Sequence, residues 1–155
     1  MKLLLYHQHL QQTSSLIEGR LLLLDSEVPA VNNTYIATSG LPNNQRFDCL
    51  SSKAKEPIPP QTIVGIDHYK VDTTPLYMPG VRGVEGNFYK ISPFTITVND
   101  TERGDFGIHF DANVPGSSGC VVLRTSLGWQ AFEKDMKNLL TSGVKQVPLL
   151  VSYSR

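Results

Sequence analysis

Gly107-Ile108-His109-Phe110-Asp111-Ala112-Asn113-Val114-Pro115-Gly116-Ser117-Ser118-Gly119-Cys120-Val121-Val122-Leu123 holds both the local fold signal and the chemistry of this chain. Two short apolar stretches, 106–110 and 120–123, flank a loop rich in Asp, Asn, Pro, Gly and Ser, the residues that turns favour. Each stretch is too short for a helix and reads as a strand. The loop 111–118 and its Pro-Gly turn have the length to return the chain, so that His109 and Cys120, eleven positions apart, end side by side.

The same rhythm continues on both sides. Residues 21–24 form an apolar run ending at Asp25-Ser26 and Pro29, and 34–37 another ending at Ser39-Gly40-Leu41-Pro42. The segments 62–71 and 88–98 are rich in β-branched and aromatic residues, a composition that fits a pleated sheet. Asn99-Asp100 opens a turn, and the polar, proline-rich stretch 42–60 reads as a long loop. Evenly spaced short strands predict a mainly β fold, a sandwich or barrel. One amphipathic helix stands out at about 126–142. Trp129, Phe132, Met136, Leu139 and Leu140 form its apolar stripe, which makes Trp129 a core residue rather than a sugar-binding platform. Thr125 or Ser126 caps its start, Gly143 ends it, and Glu133 and Lys137 are spaced to pair on its exposed side. A closing strand follows at 147–151, which Pro148 assigns to a sheet edge.

Composition narrows the function. The 155 residues are one domain's worth, and 40% apolar residues suffice for a core. Fourteen basic residues balance fourteen acidic ones with no basic tract, which argues against nucleic acid and an anionic membrane surface as partners. The apolar runs 3–6 and 21–24 fall far short of the ~18 residues of a spanning helix. Lys2, four apolar residues and then His7-Gln8-His9 do not make a secretory signal. The expectation is synthesis in the cytoplasm with delivery by another route. Cys49 and Cys120 allow at most one disulfide, and Cys49, in the polar loop, lacks any catalytic context.

A thiol attacks as its thiolate, and a neighbouring imidazole promotes that form by taking the proton. Cys120 is therefore the candidate nucleophile and His109 the general base and acid. Gly119 leaves room for a substrate carbonyl, with its N–H and that of Cys120 aimed at a developing oxyanion. Asp111 is a candidate to orient His109 from the same strand face. Ser118 and Ser117 precede the glycine as supporting and substrate-binding candidates. Arg124, on the strand face of Cys120 and about 13–14 Å beyond it, is a candidate for a substrate carboxylate, as is Arg103. The alternative from metal chemistry is a zinc hydrolase using His109, Cys120 and a third ligand such as His68. No His-x-x-x-His or Cys-x-x-Cys spacing supports it.

Ile108-His109, a short loop, Ser117-Ser118-Gly119-Cys120, an apolar strand, a helix and a closing strand together resemble the L,D-transpeptidase (YkuD-type) catalytic domain. The similarity is closest to its short-loop Pro-Gly-Ser-x-Gly-Cys members, some of which are antibacterial effectors. Tyr35-Ile36-Ala37-Thr38-Ser39-Gly40 and the stretch from Glu56-Pro57-Ile58-Pro59-Pro60 to Ile63 resemble upstream parts of the family pattern, so the likeness covers about 20–152. Ser118 stands where the family usually has His, and Val122 where it has Arg or Asn. The resemblance implies a β-sandwich or barrel, no cofactor or metal, and a peptidoglycan stem peptide as partner. It implies attack by Cys120 on an L,D-peptide bond and a thioester intermediate. Without an export signal, a hydrolase of the phage endolysin or injected effector kind is expected. Cross-linking or exchange of D-amino acids is the alternative outcome, and a non-catalytic wall-binding β-module the alternative of another class. The sequence carries no signal for an oligomeric state.

Overall fold

A computed structural model describes residues 1–27, 30–49, 56–98, 100–113 and 115–155. Pro29, residues 50–55 of the 42–60 loop, Asn99 and Val114 lie outside the described residues, as does the side chain of Cys49. Eight strands close into a barrel in the order β4 (Tyr69–Asp72), β11 (Gln146–Ser154), β1 (Lys2–His9), β2 (Gly19–Asp25), β3 (Ala30–Thr38), β10 (Val121–Leu123), β9 (Gly107–Phe110) and β6 (Gly86–Ser92), which returns to β4. β5 (Leu76–Met78) adds to β6, and β7 (Thr95–Val98) with β8 (Thr101–Gly104) forms a separate hairpin. Closure leaves few unpaired edges. The β1–β11 and β9–β10 pairs are parallel, and the others antiparallel.

Alternation places the core inside. Leu4 and Tyr6 of β1, Leu21 and Leu23 of β2, and Val147, Leu149 and Val151 of β11 are buried in one cluster, two residues apart along each strand. β1 thus lies within the barrel although it precedes the 20–152 stretch. β11 is not an edge: it lies between β1 and β4. Its pairing with β1 begins at Leu149, so Pro148 stands at the mouth of that ladder, where a missing N–H is tolerated. The segment 62–71 is not one strand. It divides into a helical turn, α1 (Gln61–Val64), and β4, because Gly65 takes a left-handed φ of 79° and ends the turn. The segment 88–98 likewise divides at Pro93 into β6 and β7.

The two barrel ends are closed differently. Helix α2 (Ser126–Thr141) is capped by the Thr125 hydroxyl, which accepts from Gly128 N–H. It ends with Val144 N–H donating to Leu139 O and Gly143 N–H to Leu140 O, the paired bonds of a Schellman motif. Phe132 meets Tyr35 of β3 and Tyr89 of β6, strands separated by two others, so the helix lies across the barrel mouth. Trp129 packs on Tyr89, Phe110 and Phe132 as a core residue. Glu133 accepts from Asn87 and Tyr89 of β6, tying the helix to the wall. At the other end, Glu56, Pro57, Ile58 and Pro59 are buried without regular structure. Prolines make this possible, since they bring no N–H needing a partner. Ile58 N–H finds Ser39 Oγ at 2.8 Å, and Tyr69, Tyr153 and Arg103 donate to the carbonyls of Pro59, Ile58 and Pro57.

Candidate active site

His109 and Cys120 come together on the outside of the barrel wall. Ile108 points into the core, so His109, its neighbour on β9, faces outward. In the parallel β9–β10 ladder His109 lies opposite Val122, and Cys120 stands two residues before Val122, immediately ahead of β10. Both side chains line a cavity of about 410 Å³ whose other walls include Leu41, Arg82, Val84, Asp105, Ser117 and Ser118.

The imidazole is tightly specified. Its Nδ1 lies 2.8 Å from the Phe110 carbonyl, which only accepts, so Nδ1 carries the hydrogen and Nε2 is left as the basic nitrogen. Phe88 of β6 stacks on the ring at 5.9 Å. That ring also lies directly over Gly107, where any Cβ would collide with it. Burial lowers the His109 pKa from its ordinary 6.5, partly opposed by the Phe110 hydrogen bond and Asp111. The ring is therefore neutral at neutral pH.

Cys120 is half-buried, and its Sγ donates to the Asp105 carbonyl at 3.2 Å. Burial pushes the thiol up to about 12, against a backbone hydrogen bond from Gly107 and with the help of the Asp105 charge. The resting pair is thus a neutral thiol and a neutral imidazole.

The loop around the thiol is braced by the remaining candidates. Ser117 is buried, and its hydroxyl donates to the Cys120 carbonyl and accepts from Gly40 N–H. Its own N–H bonds Gly40 O at 3.0 Å. Ser117 therefore lines the cavity with its hydroxyl already engaged. Ser118 is exposed at the rim. Asp111 makes no bond to His109. Its carboxylate accepts from Gly116 N–H at 3.0 Å and from Arg124 at 2.5 Å, closing the 111–118 loop. Arg124 also bonds Glu18 at 3.0 Å and does not line the cavity.

Arg103 is buried behind the site, donating to the Glu56 and Pro57 carbonyls. Gly119 has a φ of 117°, and the place of a Cβ lies 3.0 Å from the Arg103 guanidinium and the Phe106 ring. Glycine is required there for packing and backbone conformation, and the residue is not part of the cavity wall. His68 sits in the turn before β4, away from the cavity, and among the described residues no group of three His, Cys, Asp or Glu gathers to hold a metal.

Two residues of the site went unnoticed in the sequence. Arg82 is exposed on the 79–85 loop and lines the cavity, and among the described residues it makes no ion pair. Asp105 occupies the turn between β8 and β9. The signal for Arg82 is the surrounding Pro79-Gly80 and Gly83, which mark an irregular loop between strands, but nothing local connects that loop to His109.

No protein-family model matches the chain, and neither a curated protein nor a solved structure matches it. The fold stands as a mainly β, eight-stranded barrel with one long helix. No helix among the described residues is long and apolar enough to cross a membrane.

Proposed function

We propose that this protein is a cysteine-dependent peptidoglycan-modifying enzyme with an L,D-transpeptidase-like barrel. The observation that carries the reading is the shared cavity of Cys120 and His109, with Nε2 of His109 as the available base. In the proposed reaction the Cys120 proton passes to Nε2, and sulfur adds to the carbonyl carbon on the L-side of an L,D-peptide bond in a stem peptide. The tetrahedral adduct collapses to a thioester, and the departing amine takes the proton from His109. Water then attacks the thioester, giving a carboxylate and the free thiol. Arg82 offers a partner for a substrate carboxylate, in place of the Arg or Asn two residues after the cysteine, where this chain has Val122. The role that fits this chemistry is bacteriolysis, as a phage endolysin or an antibacterial effector.

The test is mass spectrometry of purified muropeptides incubated with the protein and with Cys120→Ala. Loss of a terminal D-residue or a cut cross-link, absent with the variant, supports the hydrolase. New cross-links or exchanged D-amino acids assign a transferase instead. No change on walls of differing chemistry contradicts both and favours a non-catalytic module.

A further inference from the structure

Asp105 combines three features that the proposed reaction does not use. Its φ is +60°, in the left-handed region that asparagine and aspartate enter more readily than other side chains. That turn directs its carbonyl at the Cys120 thiol, 3.2 Å away. Its carboxylate lines the same cavity, and among the described residues it has no hydrogen-bond or ion-pair partner. Asp105 is exposed at the cavity mouth, so its carboxylate is open to pair with a positively charged group of a bound ligand.

We propose that Asp105 is a positioning residue that holds Cys120 as a neutral thiol and selects substrates with a positively charged group beside the reacting carbonyl. The proposal rests on Cys120 being the nucleophile. The titratable and charged groups that line the cavity with the thiol are His109 from β9, Asp105 from the β8–β9 turn and Arg82 from the 79–85 loop, with Arg103 of β8 behind Gly119. A thiolate formed beside the bare Asp105 carboxylate meets a like charge. An ammonium group docked on that carboxylate cancels the repulsion. Sulfur then releases the Asp105 carbonyl and passes its proton to Nε2 of His109. Substrate charge and thiol activation are thereby coupled through one residue.

The experiment is alkylation of Cys120 by iodoacetamide across a pH series, with peptide mass mapping to separate Cys120 from Cys49. It compares the native protein with Asp105→Asn and Asp105→Gly, both of which tolerate the left-handed turn and keep the backbone carbonyl. At a fixed pH below about 9, where the fold is intact, both variants are expected to be labelled at Cys120 roughly tenfold faster than the native protein. A second arm uses methanethiosulfonate reagents carrying either an ammonium or a sulfonate group. Relative to the native protein, both variants are expected to lose several-fold of the preference for the ammonium reagent. Labelling of Cys120 at an unchanged rate and with unchanged charge preference overturns the role of Asp105 and leaves the nucleophile standing. No labelling of Cys120 by any reagent overturns the nucleophile reading itself, and this proposal with it.

Discussion

Arg103 and Arg124 on one side, and Arg82 on the other, show how the molecule uses the same side chain for different ends. Arg124 is held by Asp111 and Glu18, and Arg103 by the Glu56 and Pro57 carbonyls. Each fastens a loop to the barrel: the 111–118 loop in one case, the proline-rich stopper in the other. Their charges are consumed by structure. Arg82 and Asp105, by contrast, line the cavity of Cys120 and His109 without such partners among the described residues. Both residues are exposed at the cavity mouth, so their charges stay open to a ligand bound beside the thiol–imidazole pair.

The largest effect expected from this contrast falls on the reacting pair. Cys120→Ala or His109→Gln should cut turnover of a stem-peptide substrate by about a hundredfold or more, with the circular dichroism spectrum unchanged. A partial loss of only two- or threefold would place the chemistry elsewhere.

A structural effect of comparable size is expected at high pH. Burial raises the pKa of Tyr6, Tyr69 and Tyr153 well above the ordinary 10. A group whose folded-state pKa is raised stabilises the fold fully below its unfolded value and loses that contribution as pH rises. Thermal melts should therefore be flat with respect to these tyrosines up to about pH 10 and drop steeply beyond it. A Tyr153→Phe variant loses the bond to the Ile58 carbonyl, yet its decline should be shallower.

Smaller effects separate the two kinds of arginine. Arg124→Gln leaves the almost fully buried Asp111 carboxylate without its cation and should cost about 1–3 kcal/mol, or several degrees in Tm. Arg82→Gln should leave Tm within about a degree, since exposed and unpaired side chains seldom matter to stability. It should instead raise KM several-fold for a substrate bearing a free carboxylate and leave an amidated one unaffected. Interchanged outcomes, with Arg82 structural and Arg124 affecting KM, would reverse the comparison.

What could be read from the chain alone follows from how local each signal is. Most of helix α2 was legible, because its stripe from Trp129 to Leu139, its Thr125 cap and its Gly143 stop lie within one segment. Leu140, by contrast, is exposed, and Glu133 bonds to Asn87 and Tyr89 of β6 in place of Lys137. That His109 and Cys120 line one cavity was legible because a short loop joins β9 to the start of β10. The burial of residues 56–59 was not, since a proline-rich stretch reads as an exposed loop. Only the tyrosines and Arg103 from distant strands show that its carbonyls have partners. Pro148 misled for a related reason: whether a proline lies on an edge depends on where β1 starts pairing, which β11 does not encode. The functions expected of Arg124, Arg103 and Asp111 assumed free side chains, and their partners Glu18, Pro57 and Gly116 are set by tertiary structure. Arg82 and Asp105 reach the cavity by the same non-local route.

On the proposed function, Cys120 becomes acylated by a peptide carbonyl with His109 taking the proton. Intact-mass measurement of the protein during incubation with a purified stem tetrapeptide tests it most directly. The account predicts an adduct on Cys120 with the mass of the acyl peptide minus its terminal residue, discharged by hydroxylamine, slow to form in His109→Gln and absent in Cys120→Ala. A protein that processes the peptide with no adduct on Cys120, or with the adduct persisting in Cys120→Ala, would contradict it.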